Sequence, residues 1–225
     1  MAAPGMGGDP MKFKPGLILE QPLSVGAVPQ GDLSIPVPAH LDVRDQLLPT
    51  SDQGSTSLCA SYSVAGAVEY WQWKLNGVVK QVDPQPIHNE AKKNDGFPDD
   101  EATTIEAALR AVAKLGFLPI RTETIRMVRT VQEVKQALHR YGVVPAGFTA
   151  STNWQHASSS GWIKSGGEYL GGHAVLLCGY SDVENPRWWA AQNSWGDSQG
   201  WRGFVRMTPD VFLEQFRYGY VFDLQ

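Results

Sequence analysis

Three polar side chains, far apart in the sequence, are of the types that carry out nucleophilic catalysis when a fold brings them together. Cys59 follows a loop of small residues at 54–57 and stands where a helical pattern begins. A cysteine attacks only as the thiolate, and a helix N-terminus or a neighbouring imidazolium lowers its pKa. We therefore expect backbone N–H groups to point toward the sulfur of Cys59, with hydroxyls of the loop capping the helix. Taken alone, a cysteine at this place is more often an ordinary helix residue.

The second and third side chains each lie at an end of an apolar strand pattern. His173 follows two glycines and opens one strand, whereas Asn193 follows another strand at 188–192 and begins the run Asn-Ser-Trp-Gly. An asparagine can accept from an imidazole and hold its tautomer, and Trp195 can shield that bond from water. Each residue by itself has an ordinary structural explanation. Together with Cys59 they supply a nucleophile, a base and an orienting group.

The order and surroundings of these residues resemble the papain and cathepsin family over nearly the whole chain after Leu41. The matching motifs are Asp52-Gln-Gly54 six residues before the cysteine, Gly172-His-Ala-Val175 with Gly179-Tyr180, and Asn193-Ser-Trp-Gly196 followed by Gly200-Trp-Arg-Gly-Phe-Val-Arg206. Cysteine peptidases with distant His and Asn partners are the known pattern of this family. The resemblance implies that Cys59 is the nucleophile, His173 the base, Asn193 the orienting group and Gln53 the oxyanion donor.

The same resemblance implies an α+β papain-like fold of two lobes. The N-terminal lobe is then helical, the C-terminal lobe is an antiparallel, β-barrel-like structure, and the active site lies in the cleft between them. By resemblance, Gly147, Gly171 and Gly172 lie beside the specificity pocket, and their small size predicts a roomy one. Trp195 completes the residues expected to contact substrate.

The sequence also departs from the family pattern. The residues on either side of Cys59 differ from the usual ones, and the cysteines of the family's disulfides are missing. The family's paired glycines bind substrate backbone, but the corresponding run here is Asp99-Asp-Glu-Ala-Thr103, so the resemblance does not carry that substrate contact over to this chain. Cys59 and His173 are 173 − 59 = 114 residues apart, fewer than the ~130 to 150 typical of cathepsins. We expect a compact, bacterial member.

Local patterns place the elements around these residues. Apolar positions from Val64 to Leu75 recur on one face of a predicted helix, which ends at Gly77. Capping boxes at Thr103–Glu106 and Thr130–Glu133 predict two more helices. After position 142, short apolar runs separated by turn residues predict strands. These runs are 143–149, 173–180, 187–192, 203–207 and 218–222.

The first 38 residues differ in composition from the rest of the chain. They hold seven of the 15 prolines and show no helical periodicity. We call residues 1–38 the leader and expect it to be either disordered or an inhibitory segment lying in the cleft, with residues 1–10 as a tail. The peptidase domain then spans 39–225, with a helical lobe at about 42–142 and a β lobe at 143–225.

Composition narrows the classes of partner. The formal net charge is −4 and no basic stripe is present, which argues against nucleic acid. No apolar run is long enough to span a bilayer, and no signal peptide is visible, so we expect a cytoplasmic protein or one delivered by a signal-independent route. The two cysteines, Cys59 and Cys178, are predicted to be unpaired, with Cys178 in the core. No cofactor or metal site is expected, since the five histidines lack paired ligand spacing.

The resulting prediction is a monomeric enzyme that hydrolyses peptide or protein substrates through a thioester on Cys59 and contacts its own leader at the cleft. Two alternatives remain open at this stage. The altered flank of Cys59 and the missing glycine pair are compatible with a papain fold used only for binding. A peptide ligase or transferase would use the same thioester.

Overall fold

The computed structural model describes residues 14–19 and 36–225. The expectation of a tail at residues 1–10 falls outside these ranges. The described helices are α1 (Cys59–Asn76), α2 (Pro84–Ala91), α3 (Ile105–Leu115), α4 (Val131–Tyr141), α5 (Thr152–Gln155) and α6 (Pro209–Gln215). The strands are β1 (His40–Asp42), β2 (Arg126–Val128), β3 (Val144–Ser151), β4 (Tyr169–Ser181), β5 (Trp188–Gln192), β6 (Phe204–Met207) and β7 (Phe216–Val221).

The strands form one antiparallel sheet in the order β2-β7-β3-β4-β5-β6, and β1 pairs with β4 outside this path. Within the described ranges β2 and β6 end the path, so the sheet is open. The α+β fold class is confirmed. All five strands expected after position 142 are present, with bounds shifted by a few residues.

Helix α1 lies between helices α2 and α3 on one side and the sheet on the other, where it contacts β4. It begins at Cys59 and ends at Gly77, whose left-handed φ of 67° suits a residue without a Cβ. Because β4 carries His173, this packing brings the start of α1 close to the histidine. Its buried face joins a core cluster with α3 and with Tyr218 and Tyr220 of β7.

A second core cluster fills the other face of the sheet. It joins α4 and α6 to β3, β4 and β5, with Phe148, Trp154 and Trp195 among its fully buried residues. Helix α4 belongs by sequence to the predicted helical lobe, but it packs on strands of the predicted β lobe. The division into lobes near residue 142 stays a prediction.

Two expected helix caps differ from the structure. The loop hydroxyls before α1 do not cap it, because its N-cap is Leu58 without a side-chain bond. Helix α3 is capped by Thr104, whose side chain accepts from the N–H of Ala107, so the capping box predicted to start at Thr103 is wrong. Thr103 instead bonds to Asp95. The box at Thr130 and Glu133 is confirmed.

Candidate active site

The predicted base and its orienting group form a direct hydrogen bond. Nε2 of His173 lies 2.8 Å from Oδ1 of Asn193, and both residues are buried. The other ring nitrogen, Nδ1, is buried and has no hydrogen-bond partner. Asn193 is held in turn by its own side-chain bond to Gln199 and its backbone bond to Gly203. The imidazole is therefore fixed through Nε2 and keeps Nδ1 available for a second group.

Two indoles enclose the histidine. Trp195 stacks on the ring of His173, with centroids 4.6 Å apart and planes at 29°, and Trp154 meets the same ring edge-on at 5.6 Å. Trp195 is fully buried against the ring of His173, and its shielding of the His173–Asn193 bond stays a prediction. A direct contact between Trp195 and substrate stays a prediction. Trp154 gave no signal in the sequence, because its short helix α5 belongs to no recognisable motif.

The predicted nucleophile lies at the first residue of α1, against the strand that carries the histidine. The N–H of Ala174, which follows His173, donates to the sulfur of Cys59 at 3.4 Å. The backbone N–H groups of Ala60 and of Cys59 itself also act to lower the pKa of the thiol, and so does that of Gly16 in the leader. Cys59 thus lies against Ala174, the residue after His173, although 114 residues separate Cys59 from His173 in the sequence.

Burial controls the protonation of this pair. It raises the pKa of the Cys59 thiol to about 11, although the N–H groups around the sulfur oppose the shift. It lowers the pKa of His173 to about 4, against the effect of the Asn193 bond. Both groups are neutral at pH 7 in this arrangement. A thiolate and imidazolium pair needs access of water to the cleft.

The predicted oxyanion donor lies beside this pair. The Nε2 group of Gln53 donates to the carbonyls of Thr56 at 2.7 Å and Lys14 at 2.9 Å. Its Oε1 accepts from the hydroxyl of Ser194, the residue after Asn193, and its backbone N–H donates to the Ser194 carbonyl at 2.8 Å. Ser194 is thus a supporting residue that the sequence did not single out, although it stands inside the Asn-Ser-Trp-Gly motif.

Residues 14–19 of the leader, which we call the cleft segment, lie across this site. The N–H of Leu17 donates to the carbonyl of Gly172 at 3.0 Å, and the N–H of Ile18 donates to the carbonyl of Thr103 at 3.2 Å. The segment therefore bonds both to β4 of the sheet and to the residue before the cap of α3. Lys14 adds an exposed ion pair with Glu101 at 2.7 Å.

The three glycines expected at the specificity pocket all lie along the cleft segment. A Cβ at Gly172 would come within 2.3 Å of the Leu17 carbonyl oxygen, one at Gly147 within 2.9 Å of the Leu17 side chain, and one at Gly171 within 3.3 Å of Pro15. Leu17 fills the space in front of Gly147 and is only 6% exposed. The glycines thus leave room for an extended peptide beside the sheet, and the cleft segment with Leu17 occupies this space.

The second cysteine, Cys178, lies apart from the candidate active site. Cys178 is a free, buried thiol in a separate core cluster with Tyr70 and Trp188, and Cys59 is also free. No group of three His, Cys, Asp or Glu side chains that could hold a metal ion occurs within residues 14–19 and 36–225. Nor does that part of the chain contain a helix long and apolar enough to cross a membrane.

Comparison with known proteins gives a consistent result. A family model described as papain family cysteine protease matches residues 88–215, which include His173 and Asn193. Cathepsin B-like cysteine proteinase 3 of Ostertagia ostertagi is 32% identical over 86 residues, which is 38% of this chain and 49% of that protein. This chain thus spans about half the length of that relative.

Two solved structures resemble the whole fold. Xylellain, a cysteine protease from Xylella fastidiosa, superposes with a TM-score of 0.76 at 18% identity, covering 95% of this chain and 97% of that one. ProCathepsin B S9 from Trypanosoma congolense gives 0.71 at 13% identity, covering 94% and 87%. The matched family model spans more than half of the sequence, and the chain belongs to the papain family of cysteine proteases.

Proposed function

We propose that this protein is a cysteine peptidase in which Cys59 is the nucleophile, His173 the base, Asn193 the orienting group and Gln53 an oxyanion donor. The observation that carries the proposal is the hydrogen bond between Oδ1 of Asn193 and Nε2 of His173. This bond leaves Nδ1 of the same ring without a partner, and the next residue, Ala174, donates its N–H to the Cys59 sulfur. A base oriented by a third group beside a nucleophile is the arrangement that acyl transfer requires.

The reaction follows from these roles. The Cys59 thiolate attacks the carbonyl carbon of a peptide bond, and the oxygen becomes an oxyanion bound by the Gln53 amide and the Cys59 N–H. His173, protonated by the thiol, donates its proton to the leaving amine, so that the C–N bond breaks and a thioester remains. Water, deprotonated by His173, then attacks the thioester and releases the acid and the thiol.

We further propose that the cleft segment inhibits the enzyme by occupying this site. The segment bonds to both sides of the cleft, and its Lys14 carbonyl takes the Gln53 amide. Its Gly16 N–H acts on the Cys59 sulfur and lowers the pKa of the thiol, although attack requires a carbonyl carbon there. The carbonyl at Gln53 and the N–H at Cys59 belong to different peptide units, so the segment is bound in a register unsuited to cleavage. The precursor form of the T. congolense structure is in line with such a role.

The burial of the catalytic pair adds a second mode of inhibition. With water excluded, the thiol and the imidazole are both neutral, and the thiolate needed for attack is scarce at pH 7. Displacement of the segment exposes the pair and permits the proton to pass from Cys59 to His173. The leader thus acts on access and on ionisation together.

The pocket in front of Gly147 supports a preference of the enzyme for apolar side chains. Leu17 fills it in the closed structure and packs with Tyr218 in the helical core cluster. A substrate side chain of similar size and polarity would bury the same surface once the leader has left. Bacterial origin and a monomeric state remain predictions.

The test uses the full chain with a recognition sequence for a specific peptidase inserted between residues 20 and 35, folded, cut there and separated from its N-terminal fragment. We call this product the cut chain. We expect it to hydrolyse N-blocked peptides and to react with iodoacetamide at Cys59 at least ~10-fold faster than the uncut chain, with Cys178 as an internal control. Equal hydrolysis before and after cutting would contradict inhibition by the leader. Hydrolysis that survives Cys59→Ala would contradict the peptidase mechanism.

A further inference from the structure

A partly buried ion pair lies in the segment between α2 and α3, away from the catalytic group. Nζ of Lys92 and Oδ2 of Asp95 are 2.6 Å apart, and the side chain of Asp95 is 1% exposed. Opposite charges at this depth are costly to desolvate, and such pairs seldom add much stability. The main effect of the Lys92–Asp95 pair is therefore to hold the backbone and side-chain groups bonded to it in one geometry.

Both charges of the pair are fully used in holding the loop. Lys92 also donates to the carbonyls of Phe97 at 2.7 Å and Ala102 at 2.9 Å, so all three of its hydrogens have acceptors. Asp95 accepts from the N–H of Phe97 at 2.9 Å and from the hydroxyl of Thr103 at 2.9 Å. Burial alone would raise the pKa of Asp95, but these bonds, led by that from Lys92, bring it below its ordinary value.

Thr103 links this cluster to the cleft. Its side chain is bound to Asp95, it is fully buried, and its carbonyl accepts the N–H of Ile18 from the cleft segment. On the opposite side the carbonyl of Gly172 accepts the N–H of Leu17. Thr103 therefore supplies the acceptor on the helical side of the cleft, at the place where the sequence left substrate binding in doubt.

We propose that Lys92, Asp95 and the hydroxyl of Thr103 form a clamp that positions the Thr103 carbonyl to accept a backbone N–H of any peptide bound in the cleft. The leader uses this acceptor in the closed form, and a substrate uses it after the leader has left, so the second half of the proposal rests on the peptidase function above. The three side chains are positioning residues, because they do not touch the reacting atoms. Both cysteines are free and lie elsewhere, so the loop is held by charge and hydrogen bonds.

The clamp is tested by combining variants of the chain with variants of the peptide. Thr103→Val removes only the hydroxyl and leaves the carbonyl in place, Asp95→Asn weakens the ion pair, and Thr103→Ser keeps the donor. Asp99→Asn, at an exposed position of the same loop, is the matched control for the loss of a carboxylate. Each cut chain is assayed with one peptide and with versions N-methylated at one backbone nitrogen at a time.

We expect Thr103→Val and Asp95→Asn each to lower kcat/KM for the unmodified peptide ~10-fold, mainly through KM, as loss of one positioned hydrogen bond predicts. On the one methylated peptide that lacks the relevant N–H, these variants and the wild type should be equal. Thr103→Ser should restore most activity and Asp99→Asn should change nothing. An equal loss on every peptide would show that the cluster only stabilises the fold, and no loss would remove the clamp from substrate binding.

A separate readout keeps this result distinct from failure of the peptidase function. A synthetic peptide of residues 14–19 is titrated into the cut chain, and its dissociation constant is measured for the same variants. We expect Thr103→Val to weaken it ~10-fold even if no substrate is ever hydrolysed. Unchanged affinity of this peptide in both Thr103→Val and Asp95→Asn would overturn the clamp itself.

Discussion

The side-chain amide of Gln53 donates its two hydrogens to the carbonyl oxygens of Lys14 and Thr56, at 2.9 and 2.7 Å. Its oxygen accepts from the hydroxyl of Ser194, so the nitrogen end of the amide is the end that faces the cleft. A group proposed to bind an oxyanion thus already binds a carbonyl oxygen of its own chain. When the leader leaves, one donor becomes available without any rearrangement of the amide.

Gln53→Ala tests this donor. In the cut chain we expect hydrolysis to fall ~10²- to 10³-fold, because one oxyanion donor is lost, while Cys59 alkylation changes little. Steady-state kinetics and mass spectrometry of the labelled thiol measure the two effects. Gln85→Ala, at an exposed position of α2, is the control. Full hydrolytic activity in Gln53→Ala would remove the glutamine from the mechanism.

Leu17→Asp tests the closed form of the uncut chain. Leu17 is buried against the helical core, and an apolar side chain of this size contributes about 1.5 to 3 kcal/mol by burial. A carboxylate there should expel the segment, and labelling of Cys59 by iodoacetamide should rise at least ~10-fold. Leu213→Asp, at a residue 63% exposed, should have no effect. Faster labelling of Cys178 as well would indicate unfolding, and unchanged labelling of Cys59 would contradict occlusion by Leu17.

Gly147→Ala tests the pocket in front of this glycine. The added Cβ would lie 2.9 Å from the Leu17 side chain and 3.1 Å from the Tyr218 ring. Overpacking of this kind costs about 1 to 3 kcal/mol. In the cut chain we expect the ratio of kcat/KM for a leucine-containing peptide over its alanine counterpart to fall ~10-fold, with the alanine peptide little affected. An unchanged ratio would place the pocket for that side chain elsewhere.

The protonation of His173 predicts how stability varies with pH. Its pKa in the closed form is about 4, against an ordinary value of 6.5. Because the pKa of His173 is lower in the folded chain, the unfolded chain binds a proton at a higher pH than the folded chain does. The free energy of unfolding is therefore highest above pH 6.5 and decreases as the pH falls toward 4. Urea unfolding of the uncut chain at pH 7.5 and 4.5 should show a loss about 2 to 3 kcal/mol larger than that of His173→Gln. Equal losses in the two proteins would contradict the buried, neutral imidazole.

The sequence predicted those features that depend on local pattern or on a motif. The fold class follows from the family motifs, whereas the start of α1 at Cys59, the capping box of α4 and the strand near His173 each have a local signal. Helix α2 was missed because it begins Pro-Gln-Pro and is only eight residues long, which leaves little periodicity to detect. The short strands β1 and β2 exist through pairing with β4 and β7, which no local window reveals.

Two contacts across the site could not be read from the sequence. Thr103 looks like a helix cap, yet its hydroxyl bonds Asp95 eight residues earlier, because Thr104 takes the capping position. The leader was open to two interpretations, since its prolines indicate only an extended chain. The leader's N–H groups reach particular carbonyls because Leu17 packs against Gly147 and Gly172, which are distant in the sequence.

The most direct test of the central claim is to trap the thioester on Cys59. The cut chain is mixed with an excess of an N-blocked peptide ester, quenched in acid within its first turnovers, digested with pepsin and analysed by mass spectrometry. We predict the acyl mass on the peptide that contains Cys59 and none on the one that contains Cys178, with neither adduct nor hydrolysis in Cys59→Ala. Steady hydrolysis without an adduct on Cys59, persisting in Cys59→Ala, would contradict the mechanism.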